Sequence, residues 1–381
     1  MIKKIRVVSI TLLFIVYFIM AARPIPRETI LAQGWISSLQ SEYPGPIGEG
    51  SITNSSAIHL PGELIPFTLG ANFGYVNTQG QFAINKTKTG NIYLGKNLWT
   101  EYDLEPSNIG IKNIYEETVI DIENPGGYPL LLDNRIFILG SEQNALSEIS
   151  ADGSVLWTYE FGAPLTCIDA AADLILTGSI DGYIEILDSQ GKRIFNFEPG
   201  GSRYAVILGC ALSGDGSHLG IISGVDQQRF LLLERFGNSG EYKVVYHEFL
   251  GEGFRRPVQI SFIDGDQRLV FESSAGIGCY NIKSRYGIQI PLEGEIIAID
   301  NSGDQGYFFL ITSHSMGRKQ LVGIKFPRDS WIPLSMFRQN THSAVFLKAP
   351  FKSSNAFLGR TGSIIIAGGG TALISFNLEE I

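Results

Sequence analysis

Three cysteines, five histidines and a scatter of Asp-Gly turns are the residues of this chain whose types suit chemistry. Cys167, Cys210 and Cys279 show no CxxC spacing, and an odd number of thiols argues against a metal cluster or a disulfide framework. Buried free thiols are their expected state. His59, His218, His247, His314 and His342 make no HxH or HExxH pair, so metal ligation has no local support. A Gly-x-Ser-x-Gly elbow is absent. Gly368-Gly-Gly370 lacks the Lys-Ser/Thr and the following helix of a phosphate loop, and is expected in a turn. Asp215, Asp264, Asp266, Asp300 and Asp304 could form an acidic, ion-binding rim, but Asp beside Gly is also what tight turns require. The turn role is the expected one. No catalytic residue, metal ligand or cofactor is assigned.

Charge narrows the partners little. The chain carries a net charge of −9 with no long run of either sign, so the basic footprint of a nucleic-acid binder is missing. Its 381 residues suffice for one large closed domain or two ordinary ones. With 44 Gly, 23 Phe and 15 Tyr against 4 Met, the composition suits a turn-rich all-β protein.

The elements that would position these side chains are written as a repeat. Residues 140–153 align without a gap on residues 178–191, and Leu156-Trp157-Thr-Tyr-Glu160 continues onto Ile194-Phe195-Asn-Phe-Glu198. Self-similarity at this period marks a repeat architecture. Within a copy, short β-branched and aromatic runs alternate with tight turns in which Gly182 and Gly191 supply positive φ. Four antiparallel strands per forty-odd residues make a propeller blade. Small residues recur on the innermost strands, at Cys167, Cys210, Ser261 and Ala298, where strands converge on an axis and bulk would clash. Because Cys167 and Cys210 hold the same place in adjacent blades, a bridge between them is the alternative to free thiols, subject to strict geometry. The expected fold is all-β: a single β-propeller of seven blades, with eight as the alternative. Strands at 363–376 are expected to complete a blade begun by residues 73–84, closing the ring without a free edge.

Lys3, Lys4 and Arg6 precede an apolar run, residues 7–22, closed by Arg23-Pro24. This is the layout of an export signal or signal anchor, a transmembrane or signal helix leading the propeller. Residues 1–24 are therefore read as that segment, 25–56 as a linker with a short helix, and 57–381 as the propeller. The body of the protein is expected outside the cytoplasm, on the periplasmic side, membrane-bound through the N-terminal segment or released after cleavage.

Gly178-Ser-Ile-Asp-Gly-Tyr-Ile-Glu-Ile-Leu-Asp188 resembles the middle of a tryptophan-aspartate (WD) repeat blade, with Leu187-Asp188 in place of Trp-Asp. Ser150-Ala-Asp-Gly-Ser-Val-Leu-Trp157 and Asp188-Ser-Gln-Gly-Lys-Arg-Ile-Phe195 resemble blades of the quinoprotein-like (PQQ-like) propellers, in which a Gly turn and a Trp dock one blade on the next. The resemblance is good over about residues 133–223 and faint elsewhere. It implies fold far more than function. Exported PQQ-like propellers with short loops are often non-catalytic scaffolds, as in the propeller lipoprotein of the outer-membrane β-barrel assembly machine. A quinoprotein dehydrogenase would need acidic calcium ligands, a vicinal disulfide and a Trp floor, and adjacent cysteines are absent here.

The function expected on these grounds is a non-catalytic extracytoplasmic scaffold that holds an envelope or membrane protein. A propeller enzyme (quinoprotein-like oxidoreductase or hydrolase) and a small-ligand or glycan sensor are the alternatives. Two apparent insertions, residues 227–253 and 331–362, offer a partner surface. The second mixes Trp331, Met336, Phe337, Phe346 and Phe351 with Arg338 and Arg360. Its competing reading is the strand core of an irregular blade.

Overall fold

The computed structural model describes residues 12, 14, 17, 29–40, 62–237, 240–251, 253–300, 306–326 and 344–380. Within them the chain forms eight antiparallel sheets, numbered here as blades 1 to 8. Blade 1 holds Leu64–Leu69, Asn72–Asn77 and Phe82–Thr87, and blade 2 holds Asn91–Leu94, Leu98–Tyr102, Asn108–Asn113 and Thr118–Glu123. Blade 3 holds Gly127–Leu132, Arg135–Gly140, Ala145–Ile149 and Val155–Glu160, and blade 4 holds Leu165–Ala171, Leu174–Ser179, Ile184–Leu187 and Arg193–Phe197. Blade 5 holds Ile207–Leu212, His218–Ser223, Arg229–Phe236 and Glu241–Phe249, and blade 6 holds Ile260–Ile263, Arg268–Ser273, Gly276–Asn281 and Tyr286–Pro291. Blade 7 holds Glu295–Ile299, Tyr307–Ser313, Arg318–Lys325 and Ala344–Lys352. Blade 8 holds Ala356–Thr361, Ile364–Gly369 and Ala372–Glu380, with Thr29–Ser38 paired on its outer edge.

The core is distributed over the seams between neighbouring sheets rather than gathered in one place. Both faces of a blade are covered, so the second strands Leu174–Ser179 and Arg268–Ser273 are buried at every residue. Eight apolar clusters result, one for each pair of adjacent blades. Ile65 and Phe67 of blade 1 meet Ile366 and Leu373 of blade 8 in one of them, and the Phe67 and Phe357 rings stand 6.2 Å apart. That seam closes the ring. Closure removes the exposed sheet ends that an open stack would leave.

Seven blades is thus corrected to eight. The lower count comes from merging two sheets. Residues 73–84 belong to blade 1, whereas residues 363–376 belong to blade 8 and are completed by Thr29–Ser38, with Thr29 opposite Glu380 and Ser38 opposite Ala372. The expected short helix within a linker is accordingly a strand over Thr29–Ser38. Its burial pattern is mixed because it covers a sheet edge on one side only. Of the leader expected over residues 1–24, only Leu12, Phe14 and Tyr17 are described, helical and exposed, and the rest lies outside the described residues. The expectation of a transmembrane helix ahead of the propeller is met by no described segment: among the described residues no helix is long and apolar enough to cross a membrane.

One turn recurs between the third and fourth strand positions. Asn77 Oδ1 accepts from Gln79 N and Gln81 N at 3.0 and 2.9 Å, Asn113 Oδ1 from Tyr115 N and Glu117 N at 2.9 and 3.0 Å, and Asp188 Oδ1 from Gln190 N and Lys192 N at 2.9 Å each. Ser150 holds the same place in blade 3, closed by a Ser150 N to Ser154 O bond of 2.8 Å. Short polar side chains that bond the backbone ahead of them stabilise such turns. The residue three places on has positive φ each time: Gly80, Glu116, Gly153 and Gly191.

Two of these turns receive a tryptophan from the blade before. A Cβ added to Gly191 would stand 2.4 Å from the Trp157 ring, and one on Gly80 would stand 2.6 Å from Trp35. The indoles also donate to turn carbonyls, Trp157 to Ser189 at 3.2 Å and Trp35 to Thr78 at 2.8 Å. Glycine is required at both places because the indole lies where a side chain would be.

Candidate functional site

Of the sequence-derived partner surface, three residues are described. Trp331, Met336, Phe337 and Arg338 lie outside the described residues. Phe346 is half-buried and meets Tyr307 and Phe309 edge-on at 5.7 and 5.9 Å. Phe351 packs in the same seam between blades 7 and 8. Arg360 is buried there too, paired with Asp300 at 3.0 Å with both side chains about 1% exposed. Arg360 is thereby corrected from surface to interior, and Phe346 and Phe351 to half-buried seam positions: Ala344–Lys352 and Ala356–Thr361 are regular strands that turn these side chains toward the seam. The other apparent insertion is the pair of long strands Arg229–Phe236 and Glu241–Phe249 of blade 5.

The acidic rim is absorbed by structure. Asp215 accepts from Ser213 and Ser217 hydroxyls, Asp266 from Gly214 N at 2.8 Å, Asp264 pairs with Arg268, and Asp300 with Arg360. Asp304 lies outside the described residues. His218 Nδ1 meets Ser217 Oγ at 2.7 Å and His314 Nε2 meets Thr312 Oγ1 at 3.1 Å. Among the described residues no three His, Cys, Asp or Glu side chains converge as metal ligands.

Three cavities among the described residues are lined by polar or thiol side chains. One, of roughly 340 Å³, opens at the axis where the first strands of blades 4 to 7 converge, and Cys167, Gly209, Cys210, Gln259 and Ser261 line it. A second, of roughly 290 Å³, lies beside blade 4 and gathers Asp181, Tyr183, Glu185, Arg193 and Asn196. There Glu185 accepts from the Tyr159 hydroxyl at 2.7 Å and pairs with Arg193 at 3.4 Å. The third, of roughly 310 Å³, lies between blades 6 and 7 around Arg256, which grips the buried Glu272 at 2.7 Å and reaches Glu295 at 3.4 Å.

Beside the axial cavity Asp169 links blades 4 and 5. Its Oδ2 accepts from Leu212 N at 2.8 Å and its Oδ1 from Ala170 N at 2.9 Å. Burial pushes this carboxyl up to about 6; the two N–H bonds oppose the rise, and the Asp133 charge adds to it. A carboxyl raised in the folded state binds its proton more tightly there than in the unfolded chain. The stability it contributes is whole below its unfolded value near pH 4 and is lost as pH climbs through 6. Asp169→Asn is therefore expected to gain stability at pH 7.5, by at most about 3 kcal/mol, and nothing at pH 4. Urea unfolding of both proteins at the two pH values measures this. An equal difference at both would remove Asp169 as the cause.

Four exposed apolar side chains lie on one end of the ring. Leu104, Ile180 and Met316 sit in connections between second and third strands, and Tyr204 in the connection from blade 4 to blade 5. In a meander these connections share one face. All four side chains are 51–88% exposed. Sequence reasoning missed this face because each residue stands alone in its loop. The available signal was the Pro199-Gly-Gly-Ser-Arg-Tyr204 turn run, which ends on an aromatic outside any strand.

A family model described as beta-propeller protein matches residues 1–381. A Treponema pallidum (strain Nichols) protein described as uncharacterized is 26% identical over 299 residues, 78% of each chain. Among solved structures, BamB from Moraxella catarrhalis superposes with a TM-score of 0.55 at 10% identity, covering 91% of this chain and all of that one. The computationally designed Ika8 protein gives 0.54 at 10% identity, covering 84% of this chain and 97% of that one. A chain of the mitotic checkpoint complex gives 0.50 at 11% identity, covering 74% and 87%. At such identities the structural likenesses speak for the fold alone.

Proposed function

Since the chain belongs to the beta-propeller protein family, we propose that it is a non-catalytic scaffold whose loop face holds another protein. The observation that carries this reading is the set of exposed Leu104, Ile180, Tyr204 and Met316 on one face of a closed, rigid ring. Aromatic and aliphatic anchors with open surroundings are what a protein partner buries. The non-catalytic character is supported by the commitment of Glu148, Glu185, Glu272 and Asp300 to Arg135, Arg193, Arg256 and Arg360. Kinship to the PQQ-like blades is part of the proposal, supported by the Trp157 and Trp35 docking contacts. So is a place outside the cytoplasm with an envelope or membrane protein as partner, supported by the layout of Lys3, Lys4 and Arg6 before the apolar residues 7–22.

The test is cross-linking followed by affinity capture from the native membranes. Wild-type protein is expected to retain a stoichiometric partner, and Ile180→Ser/Tyr204→Ser/Met316→Ser to lose at least tenfold of it while unfolding at the wild-type temperature. Full retention by the triple variant would refute this face as the contact. A sensor of small polar ligands is the second reading, carried by the convergence of Asp181, Glu185, Arg193 and Asn196 on one cavity. Thermal shifts across a panel of sugars and amino acids test it.

A further inference from the structure

Cys167 and Cys210 occupy neighbouring first strands, in blades 4 and 5. Two hydrogen bonds clamp these strands together on either side of the cysteines. Thr166 Oγ1 donates to Ile207 O at 2.5 Å before them, and Leu212 N donates to Asp169 Oδ2 at 2.8 Å beyond them. Both cysteines belong to the apolar seam of these two blades, and both line the axial cavity. The room for the Cys167 sulfur is provided by Gly178, the glycine that opens the repeat: a Cβ at that position would lie 2.7 Å from Sγ. Cys210 is buried and Cys167 only partly so, and neither is bonded in the reduced protein. Burial first, then the adjacent Cys167 thiol, hold the Cys210 thiol well above its ordinary range. Cys279 sits apart, in the third strand of blade 6.

We propose that Cys167 and Cys210 form a modification site, a dithiol that closes to a disulfide joining blade 4 to blade 5 by exchange with an organic disulfide. The inference is independent of the scaffold reading. The more accessible Cys167, as its thiolate, attacks one sulfur of the organic disulfide, forming a mixed disulfide and expelling a thiolate that takes up the Cys167 proton. Cys210, on losing its proton, then attacks the Cys167 sulfur. The Cys167–Cys210 bond forms, the mixed disulfide breaks, and the second thiolate leaves with the Cys210 proton. Two protein thiols are oxidised and one organic disulfide is reduced to two thiols, so the electrons balance. The raised thiol of Cys210 makes the resolving step the slow one, since only thiolate attacks.

Folded full-length protein incubated with oxidised glutathione, then trapped with iodoacetamide, tests this by intact mass and peptide mapping. The expected product has lost two hydrogens, joins the Cys167 and Cys210 peptides, leaves Cys279 reduced, and melts higher by roughly 5 °C, reversibly on reduction. Cys279→Ser is expected to behave like wild type. Cys167→Ser and Cys210→Ser are expected to give no linked peptide and no rise in Tm, with Cys210→Ala as a second variant should serine disturb the seam. A wild-type protein that stops at the Cys167 mixed disulfide, links between molecules, or stays reduced through the same incubation would overturn the proposal.

Discussion

Arg360→Met is expected to cost about 3–5 kcal/mol of folding stability, because it leaves a buried carboxylate without its cation. Arg360 and Asp300 join blade 8 to blade 7 with both side chains about 1% exposed. The guanidinium is held on further sides: Nη1 also donates to Tyr307 O at 2.8 Å, Nε donates to Gly362 O at 2.8 Å, and the Phe309 ring lies 5.5 Å away. Methionine keeps most of the volume and none of the donors. Asp300 then loses the cation that offsets its burial, and two carbonyls lose a donor. Urea unfolding should show the midpoint falling with little change in slope, since the surface exposed is the same. Arg360→Met/Asp300→Leu is expected to recover most of the loss, because an ion pair replaced whole by apolar side chains is close to neutral. A double variant no more stable than the single would mean that the carbonyl bonds, not the ion pair, hold this seam.

This pair also shows where the reading of the sequence stopped. Arg360 stands two residues before a Gly and among aromatics, a pattern shared by exposed binding loops and by buried strand ends. Only its neighbour distinguishes the two, and Asp300 lies sixty residues away in another blade. The same limit applies to ring closure. Strand type, turn positions and small inner residues are local and were readable in blades 3 and 4. The partner of residues 363–376 is Thr29–Ser38, and no local pattern at residue 29 announces a strand whose partner lies near residue 380.

Blade 2 was illegible for a different reason. Its repeat turn carries Glu116 at a φ of 67° where the other copies have Gly80, Gly153 and Gly191. Positive φ disfavours a non-glycine residue, so glycine spacing is the signal a reader follows, and here it is missing. Asn113 supplies the turn instead, through two bonds to the backbone ahead of it. The conformation repeats and the letter does not. The candidate site was less legible still. Leu104, Ile180, Tyr204 and Met316 come from four different connections, and only the ring brings them to one face.

Gly182→Ala is expected to cost at least about 3 kcal/mol, because a clash with the next blade's connection adds to the strain of its turn. The sequence requires glycine there for positive φ, and the backbone does adopt +94°. An alanine at such an angle costs about 1–3 kcal/mol. The ring adds a second constraint. A Cβ on Gly182 would lie 1.9 Å from Ala205 O and 2.7 Å from Ala205 Cβ, both in the connection that leads into blade 5. Backbone cannot swing aside as a flexible side chain can, so the connection must shift. That connection carries Tyr204 of the proposed partner face. Gly200→Ala is the control, with φ at +61° and nothing within 4 Å of the new carbon, and about 1 kcal/mol is expected from it. The difference in urea midpoint between the two variants carries the inter-blade contact together with the greater strain of +94° over +61°. Equal losses would mean that turn strain alone sets the requirement for glycine at 182. A larger loss for Gly182→Ala, accompanied by weaker partner capture, would tie the spacing of blades 4 and 5 to the face presented by the loop between them.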